Sequence, residues 1–366
     1  MKFLCEQSDL AEALNIVSKA ISPNNTLPVL NNILVKLEEK KAVMIATNLE
    51  IAIKVSIPAE IKSEGGITIP AKLVTSYINL LENQKLEINE ASGDTITIKS
   101  KSSQSKIKGI SPDEFPIIPK IEKLGNFSID AKILLGMINK TAFAASNNLA
   151  RPVLSGVFFD LQADVFKMVA TDSYRLSETK FELIDKIKDP LSCIIPARTI
   201  LELGKILMKA EDENVDITFA KNQVMFNVGN IELTSRLIEG SFPDYEKIIP
   251  NEIKSNTKLK REDFILAVKK VNLFVPDNNC AKIDVDKKKM VLHTDETQVG
   301  EGTVDLEAEL TGESNNIALN SQYLLDILQV LDEDEVTFEM NDKLSPVIIK
   351  AIDKKDFIHI IMPLKV

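Results

Sequence analysis

Ala46-Thr47-Asn48-Leu49, Ala170-Thr171-Asp172-Ser173 and His293-Thr294-Asp295-Glu296 are three writings of one motif, each closing an apolar, strand-like run. They stand about 120–125 residues apart, and the segments downstream of them recur at the same period. These are Ile69-Pro70-Ala71-Lys72, Ile195-Pro196-Ala197-Arg198 and Ile317-Ala318-Leu319-Asn320, which open helix-like stretches over Leu73–Leu81, Thr199–Met208 and Tyr323–Leu331. The copies end alike: Phe115-Pro116-Ile117-Ile118-Pro119, Phe242-Pro243 running to Ile248-Ile249-Pro250, and Phe357-Ile358 running to Ile361-Met362-Pro363. Self-similarity at a fixed period marks a fold built by repetition. It divides the 366 residues into 1–120, 121–250 and 251–366, and makes a single catalytic cleft the less natural expectation.

Each copy reads as two helices among roughly eight short strands. The first helix is expected over Asp9–Ala20, and its counterparts over Lys132–Ala145 and Glu262–Phe274. Leu10, Leu14, Val17 and Ile21 form its apolar stripe, and Ser8 is the expected N-cap. Elsewhere polar and apolar residues alternate, as in Lys85-Leu86-Glu87-Ile88-Asn89 and Glu335-Val336-Thr337-Phe338-Glu339. The fold class is α+β, with antiparallel sheet on one side of each module and helices on the other.

The apolar runs are broken by charge well short of the ~20 residues of a membrane span, and the first residues meet acid before any signal-peptide core could form. Cys5, Cys193 and Cys280 are odd in number and far apart, which suits a reducing cytosol and predicts a cytoplasmic protein.

A net charge of −10 argues against a nucleic-acid partner until it is divided. Residues 1–120 carry 14 Lys/Arg against 14 Asp/Glu, 121–250 carry 15 against 18, and 251–366 carry 15 against 22. The expected helices hold Lys19, Lys72, Lys132, Lys140, Arg198, Lys205, Lys209, Lys260, Arg261, Lys269 and Lys270, while runs such as Glu211-Asp212-Glu213 and Asp332-Glu333-Asp334-Glu335 fall at turns. One cationic face on an acidic protein would suit a polyanion touching that face alone. Ordinary solvated helix faces would produce the same tally.

A second contrast is sharper. Lys99, Lys101, Lys106 and Lys108 lie between Ile96 and Ile110 with no acid among them. Asp295, Glu296, Glu301, Asp305, Glu307, Glu309 and Glu313 form a stretch with no base. Two exposed edge strands of opposite charge would pair between chains, although lysines also simply guard free edges.

Further segments complete a pattern. These are Thr26-Leu27-Pro28-Val29-Leu30-Asn31-Asn32, Ala170-Thr171-Asp172-Ser173-Tyr174-Arg175-Leu176, Ser235-Arg236-Leu237-Ile238-Glu239-Gly240-Ser241-Phe242-Pro243-Asp244-Tyr245 and Met362-Pro363-Leu364-Lys365-Val366. In this order and inside a threefold repeat, the chain resembles the beta sliding clamps of bacterial DNA polymerase III. The resemblance implies three DNA-clamp domains per chain and a head-to-tail homodimer forming a six-domain ring. Such a ring encircles duplex DNA without sequence specificity and has no catalytic site or cofactor of its own. It also implies a pocket for the Gln/Leu/Phe-containing motifs of the polymerase III alpha subunit, the clamp loader, other polymerases and repair proteins. Position by position that pocket would hold Leu154, Thr171, Tyr174, Arg175, Leu176, Pro243, Lys247, Ile248, Met362, Pro363 and Leu364. Lys72, Arg198 and Lys205 would face DNA, and Lys106, Ile107 and Lys108 would meet Leu273 and Phe274 of the other chain. Ser173-Tyr174 stands where the family usually has Gly-His, Glu246-Lys247 where two bases are familiar, and Pro152-Val153 where some clamps carry a tyrosine pair.

An enzyme is the rival class. Only His293 and His359 are present, each in a strand context, and no phosphate-binding glycine loop or His-Glu-x-x-His helix appears. A repeat scaffold that binds proteins without surrounding DNA is the other rival.

Overall fold

The computed structural model describes residues 1–365 apart from 24, 26, 92, 120, 149, 184–186, 188, 211, 212, 276–278, 299 and 353. Thr26, Glu211, Asp212 and Val366, named above, lie outside the described residues. The six expected helices are present as α1 (Gln7–Val17), α2 (Ala71–Asn79), α3 (Ala131–Thr141), α4 (Ala197–Leu207), α5 (Arg261–Asn272) and α6 (Ser321–Val330). Among the described residues, all strand pairs are antiparallel and fall in four sheets.

The chain forms two compact units, and both cut through the middle repeat. The first unit, Met1–Leu134 with Glu202–Leu237, holds a five-stranded sheet and an eight-stranded sheet. In the larger sheet, Ile231–Arg236 pairs with Ile51–Pro58, so hydrogen bonds run unbroken from the second repeat into the first. The second unit, Leu135–Leu201 with Ile238–Val366, holds a nine-stranded and a four-stranded sheet. There Arg175–Glu182 pairs with Phe357–Ile361, and the second repeat is stitched to the third in the same manner. Alternation along each strand turns every second side chain inward; Phe226, Ile53 and Ile33 fill the first unit, and Phe338, Phe264 and Leu292 the second.

Strands run into helices with almost no loop, which shifts the expected helix starts. Ser8 is not the cap: α1 begins at Gln7 straight after strand Lys2–Glu6, and the Ser8 hydroxyl donates to Asp9 at 3.3 Å. Gln7 is buried instead, donating from Nε2 to the Ile78 carbonyl (2.8 Å). Pro70 ends its strand and occupies the N-cap of α2, where a missing N–H costs nothing. Asn320 caps α6, its Oδ1 accepting the N–H groups of Gln322 and Tyr323 at 2.9 and 3.3 Å. The stripe of α1 is buried through Leu10, Leu14 and Val17, but the α-helix stops at Val17 and Ile21 lies beyond it, past the 3-10 turn Ser18–Ala20.

The Lys/Arg tally on the helices overstates a cationic face. Arg261 is held inward by the carbonyls of Glu333 (2.9 Å) and Leu328 (3.2 Å), and Lys140 lies over the Phe357 ring. Lys205 pairs with Glu202 (2.8 Å) and Lys209 with Glu12 (3.6 Å). Burial lowers the pKa of Lys19, with Glu202 opposing the shift. Lys72, Arg198, Lys205, Lys269 and Lys270 are exposed.

Candidate functional site

The repeated Ala-Thr-Asx motif builds the same turn twice. Thr171 donates from Oγ1 to the Arg175 carbonyl (2.6 Å) and accepts the Ser173 N–H (3.1 Å); Thr47 does so with Ile51 (2.8 Å) and Leu49 (3.0 Å). Asp172 Oδ1 accepts the Tyr174 and Arg175 N–H groups at 2.9 and 3.0 Å, as Asn48 Oδ1 accepts those of Glu50 and Ile51 at 3.0 and 2.9 Å. The third copy departs. Thr294 Oγ1 accepts the Gly302 N–H (3.1 Å), and Asp295 pairs with Lys282 (2.6 Å).

Both turns force their third residue into the left-handed region, Leu49 at φ 76° and Ser173 at φ 79°. A side chain there costs on the order of 1 kcal/mol, so glycine would suit this place and serine accepts strain. Ser173→Gly is therefore expected to be at least as stable as the parent, by up to about 1 kcal/mol, and Ser173→Val less stable by about 1–2 kcal/mol because a β-branched side chain suits φ > 0 worst. Urea midpoints followed by circular dichroism check this; a valine variant equal to the parent would refute it.

The turn forms one end of a cleft of about 170 Å³ in the second unit. Seven of the expected pocket residues meet there: Leu154, Thr171, Arg175, Leu176, Pro243, Ile248 and Met362. Ser173, Asp244, Tyr245 and Ile360 also line it, and of these Asp244, Tyr245 and Ile360 were not anticipated as site residues. Tyr174, Lys247, Pro363 and Leu364 lie outside the lining. Tyr174, 61% exposed, contributes its carbonyl, which accepts the Met362 N–H (2.8 Å). The Leu364 N–H donates to the Ala318 carbonyl (2.8 Å), fastening the tail that carries Met362. Lys247 is exposed and turned to Asp244 (2.6 Å), which raises its pKa.

Two buried polar systems hold the walls. Arg175 Nε binds Asp172 (3.0 Å), Nη1 binds Asp326 and Nη2 donates to the Phe143 carbonyl (2.9 Å), while its guanidinium lies 4.4 Å from the Tyr323 ring centre. On the other side, the Tyr245 hydroxyl donates to the buried Glu178 carboxylate (2.5 Å), and Lys180 pairs with the same group (2.8 Å). Burial and then that hydrogen bond raise the Tyr245 pKa far above its ordinary value. Lys167 pairs with Glu246 (2.8 Å) and lowers its pKa, pinning the short helix Tyr245–Ile248 to the sheet. The result is an apolar slot with a rigid polar frame, suited to side chains of an extended peptide.

The residues expected at a chain–chain contact divide. Lys106 and Lys108 are exposed on Gln104–Lys108, the edge strand of the five-stranded sheet. Ile107 is only 4% exposed and packs into its own chain opposite Ile96, so it is core, as alternation between two outward lysines requires. Leu273 is 76% exposed, whereas Phe274 is half-buried against Gly302, where a Cβ would stand 2.7 Å from its ring. The acidic stretch supplies the edge Thr303–Glu307 of the four-stranded sheet, with Asp305 and Glu307 exposed. Glu309 belongs to a different sheet.

His293 pairs with Asp284 (2.9 Å), and His359 is buried against Ser177 (2.7 Å). Among the described residues no three His, Cys, Asp or Glu side chains cluster as a metal site, and no helix is long and apolar enough to cross a membrane.

Family models for the DNA polymerase III beta subunit match three consecutive stretches: the N-terminal domain over residues 1–119, the central domain over 128–244 and the C-terminal domain over 246–365. The beta sliding clamp of Staphylococcus epidermidis is 30% identical over 376 residues, spanning 100% of this chain and 99% of that protein. The crystal structure of the DNA polymerase sliding clamp from Bacillus subtilis superposes with a TM-score of 0.96 at 26% identity, covering 100% of this chain and 99% of that one. That of the DNA polymerase III beta chain from Streptococcus pneumoniae gives 0.95 at 28%, covering both chains fully. The chain belongs to the DNA polymerase III beta subunit family, the beta sliding clamps.

Proposed function

We propose that two copies of this chain associate head to tail, each contributing clamp domains 1–120, 121–250 and 251–366, to close a six-domain ring around duplex DNA in the cytoplasm. The observation that carries this reading is the pair of free sheet edges on one chain, lysine-bearing at Gln104–Lys108 and carboxylate-bearing at Thr303–Glu307. Each edge offers unpaired backbone groups, and opposite charge selects the other as partner. Lys72, Arg198 and Lys205 would meet phosphates, which position without conveying sequence, so the ring can slide. The Glu202 carboxylate already beside Lys205 weakens that contact further. The cleft around Leu176 and Met362 would take Gln/Leu/Phe-containing peptides of the polymerase alpha subunit, the loader, other polymerases and repair proteins, making the chain a non-catalytic tether.

The test is retention on circular DNA after loading, before and after a single restriction cut. Rapid loss on linearisation is expected; equal retention on cut DNA would mean that contacts rather than topology hold the protein, and the scaffold reading would replace this one. Reversing Lys106 and Lys108 to Glu together is expected to raise the dimer dissociation constant at least tenfold at low salt, read by analytical ultracentrifugation. An unchanged constant would remove the edge-pairing explanation.

A further inference from the structure

The seam between the first two repeats lies wholly in the first unit and contains a groove of about 650 Å³. It is built like the seam that carries the 170 Å³ cleft. Thr234 faces Ala52 across the strand pair where Ile360 faces Leu176 in the other seam. One row further along, Leu34, Ile45, Lys54 and Glu232 lie side by side where the second seam has Phe158, Val169, Glu178 and Ile358. Similar linkers cross above them, Phe115-Pro116-Ile117-Ile118 and Phe242-Pro243-Asp244-Tyr245.

The fillings differ. In the second seam Phe158 stacks on Phe242 with ring centres 4.9 Å apart, and Tyr245 reaches down to Glu178, so these side chains fill the space over that row and leave only the 170 Å³ cleft beside it. In the first seam leucine replaces the phenylalanine, Ile118 replaces the tyrosine and Lys54 replaces the glutamate. An isoleucine has no polar end to satisfy a lysine, and neither Leu34 nor Ile118 brings a ring to the space. Lys54 is half-buried and stands opposite Glu232, with no ion pair between the two among the described residues; exposed Lys36 and exposed Asp113 stand at the same groove. Ile117, at the lip, is 92% exposed.

We propose that this groove is a second peptide-docking site, distinct from the Leu176–Met362 cleft. Its ligand is an extended segment with a bulky apolar side chain followed by carboxylates. The apolar anchor takes the volume that Phe158 and Tyr245 fill in the other seam, and a carboxylate meets Lys54 in the place where Tyr245 meets Glu178. The choice of a peptide rests on reading the second seam as a peptide cleft, so the test separates the two sites.

Met225 lines the new groove and Met362 the cleft, so methyl-labelled methionine reports each in the intact protein by NMR. The probe is the synthetic peptide acetyl-Ala-Leu-Phe-Asp-Asp-Ala-amide, with an Asn-Asn counterpart. The Met225 methyl is expected to shift saturably, with at least tenfold weaker binding for the Asn-Asn peptide and for Lys54→Glu, while Lys54→Gln falls between. Movement of Met362 alone, or a Met225 shift indifferent to Lys54→Glu, overturns the second site and leaves the cleft reading standing. Movement of Met225 alone supports the second site and defeats the cleft reading for this peptide; movement of neither overturns both.

Discussion

Arg175→Ala is expected to destabilise the second unit by about 3–5 kcal/mol and to abolish peptide binding at the cleft. The arginine side chain is 11% exposed and lies between Asp172 and Asp326, both of them mostly covered. Removing one member of a buried ion group strands its partners, which costs far more than the group's net contribution. Here two carboxylates and the Phe143 carbonyl lose a donor together, and the Tyr323 ring loses the cation above it. Arg175→Lys keeps the charge but not the planar fork that serves three acceptors, so it is expected to recover less than half of the loss. Urea unfolding with peptide titration measures both effects. A change below about 1 kcal/mol would show that Asp172 and Asp326 are well solvated without Arg175.

The second large effect is a pH dependence set by His359. Its imidazole is fully buried, and desolvation followed by the nearby Arg175 charge lowers the pKa from 6.5 to about 3. Between those values the unfolded chain binds a proton that the folded chain refuses. Stability is therefore fully present above pH 6.5 and falls with acidification, by about 1.4 kcal/mol per pH unit and about 2 kcal/mol by pH 5. In His359→Gln the same carboxylates still titrate, so the comparison isolates one proton: the stability–pH slope between pH 6 and 4 should flatten by that amount. Superimposable slopes would mean that water reaches His359 in the folded state.

Much of this molecule is legible in its order of residues. The threefold repeat, the six helices and the two oppositely charged edges all come from local patterns, because helix and strand periodicity and the Thr-Asx turn are properties of neighbours in sequence. Ile107 was expected at a chain–chain contact, although Lys106 and Lys108 on either side claim the outward face and leave it turned inward, where it is buried. Ser8 misled because a cap signal says nothing about a strand arriving without a loop.

Three related modules, their helix-and-strand content and the polarity of their edges are thus encoded over a few residues at a time. How far each seam is filled, to a cleft of about 170 Å³ in one and a groove of about 650 Å³ in the other, was set by packing. That outcome depends on a row of side chains drawn from four strands, and on whether the linker above brings a tyrosine to a glutamate or an isoleucine to a lysine. Packing likewise brought Asp326 and Phe143, distant in sequence, to the arginine that its near neighbour Asp172 already holds. Partners of that kind are chosen by sheet register and packing, which no local pattern contains.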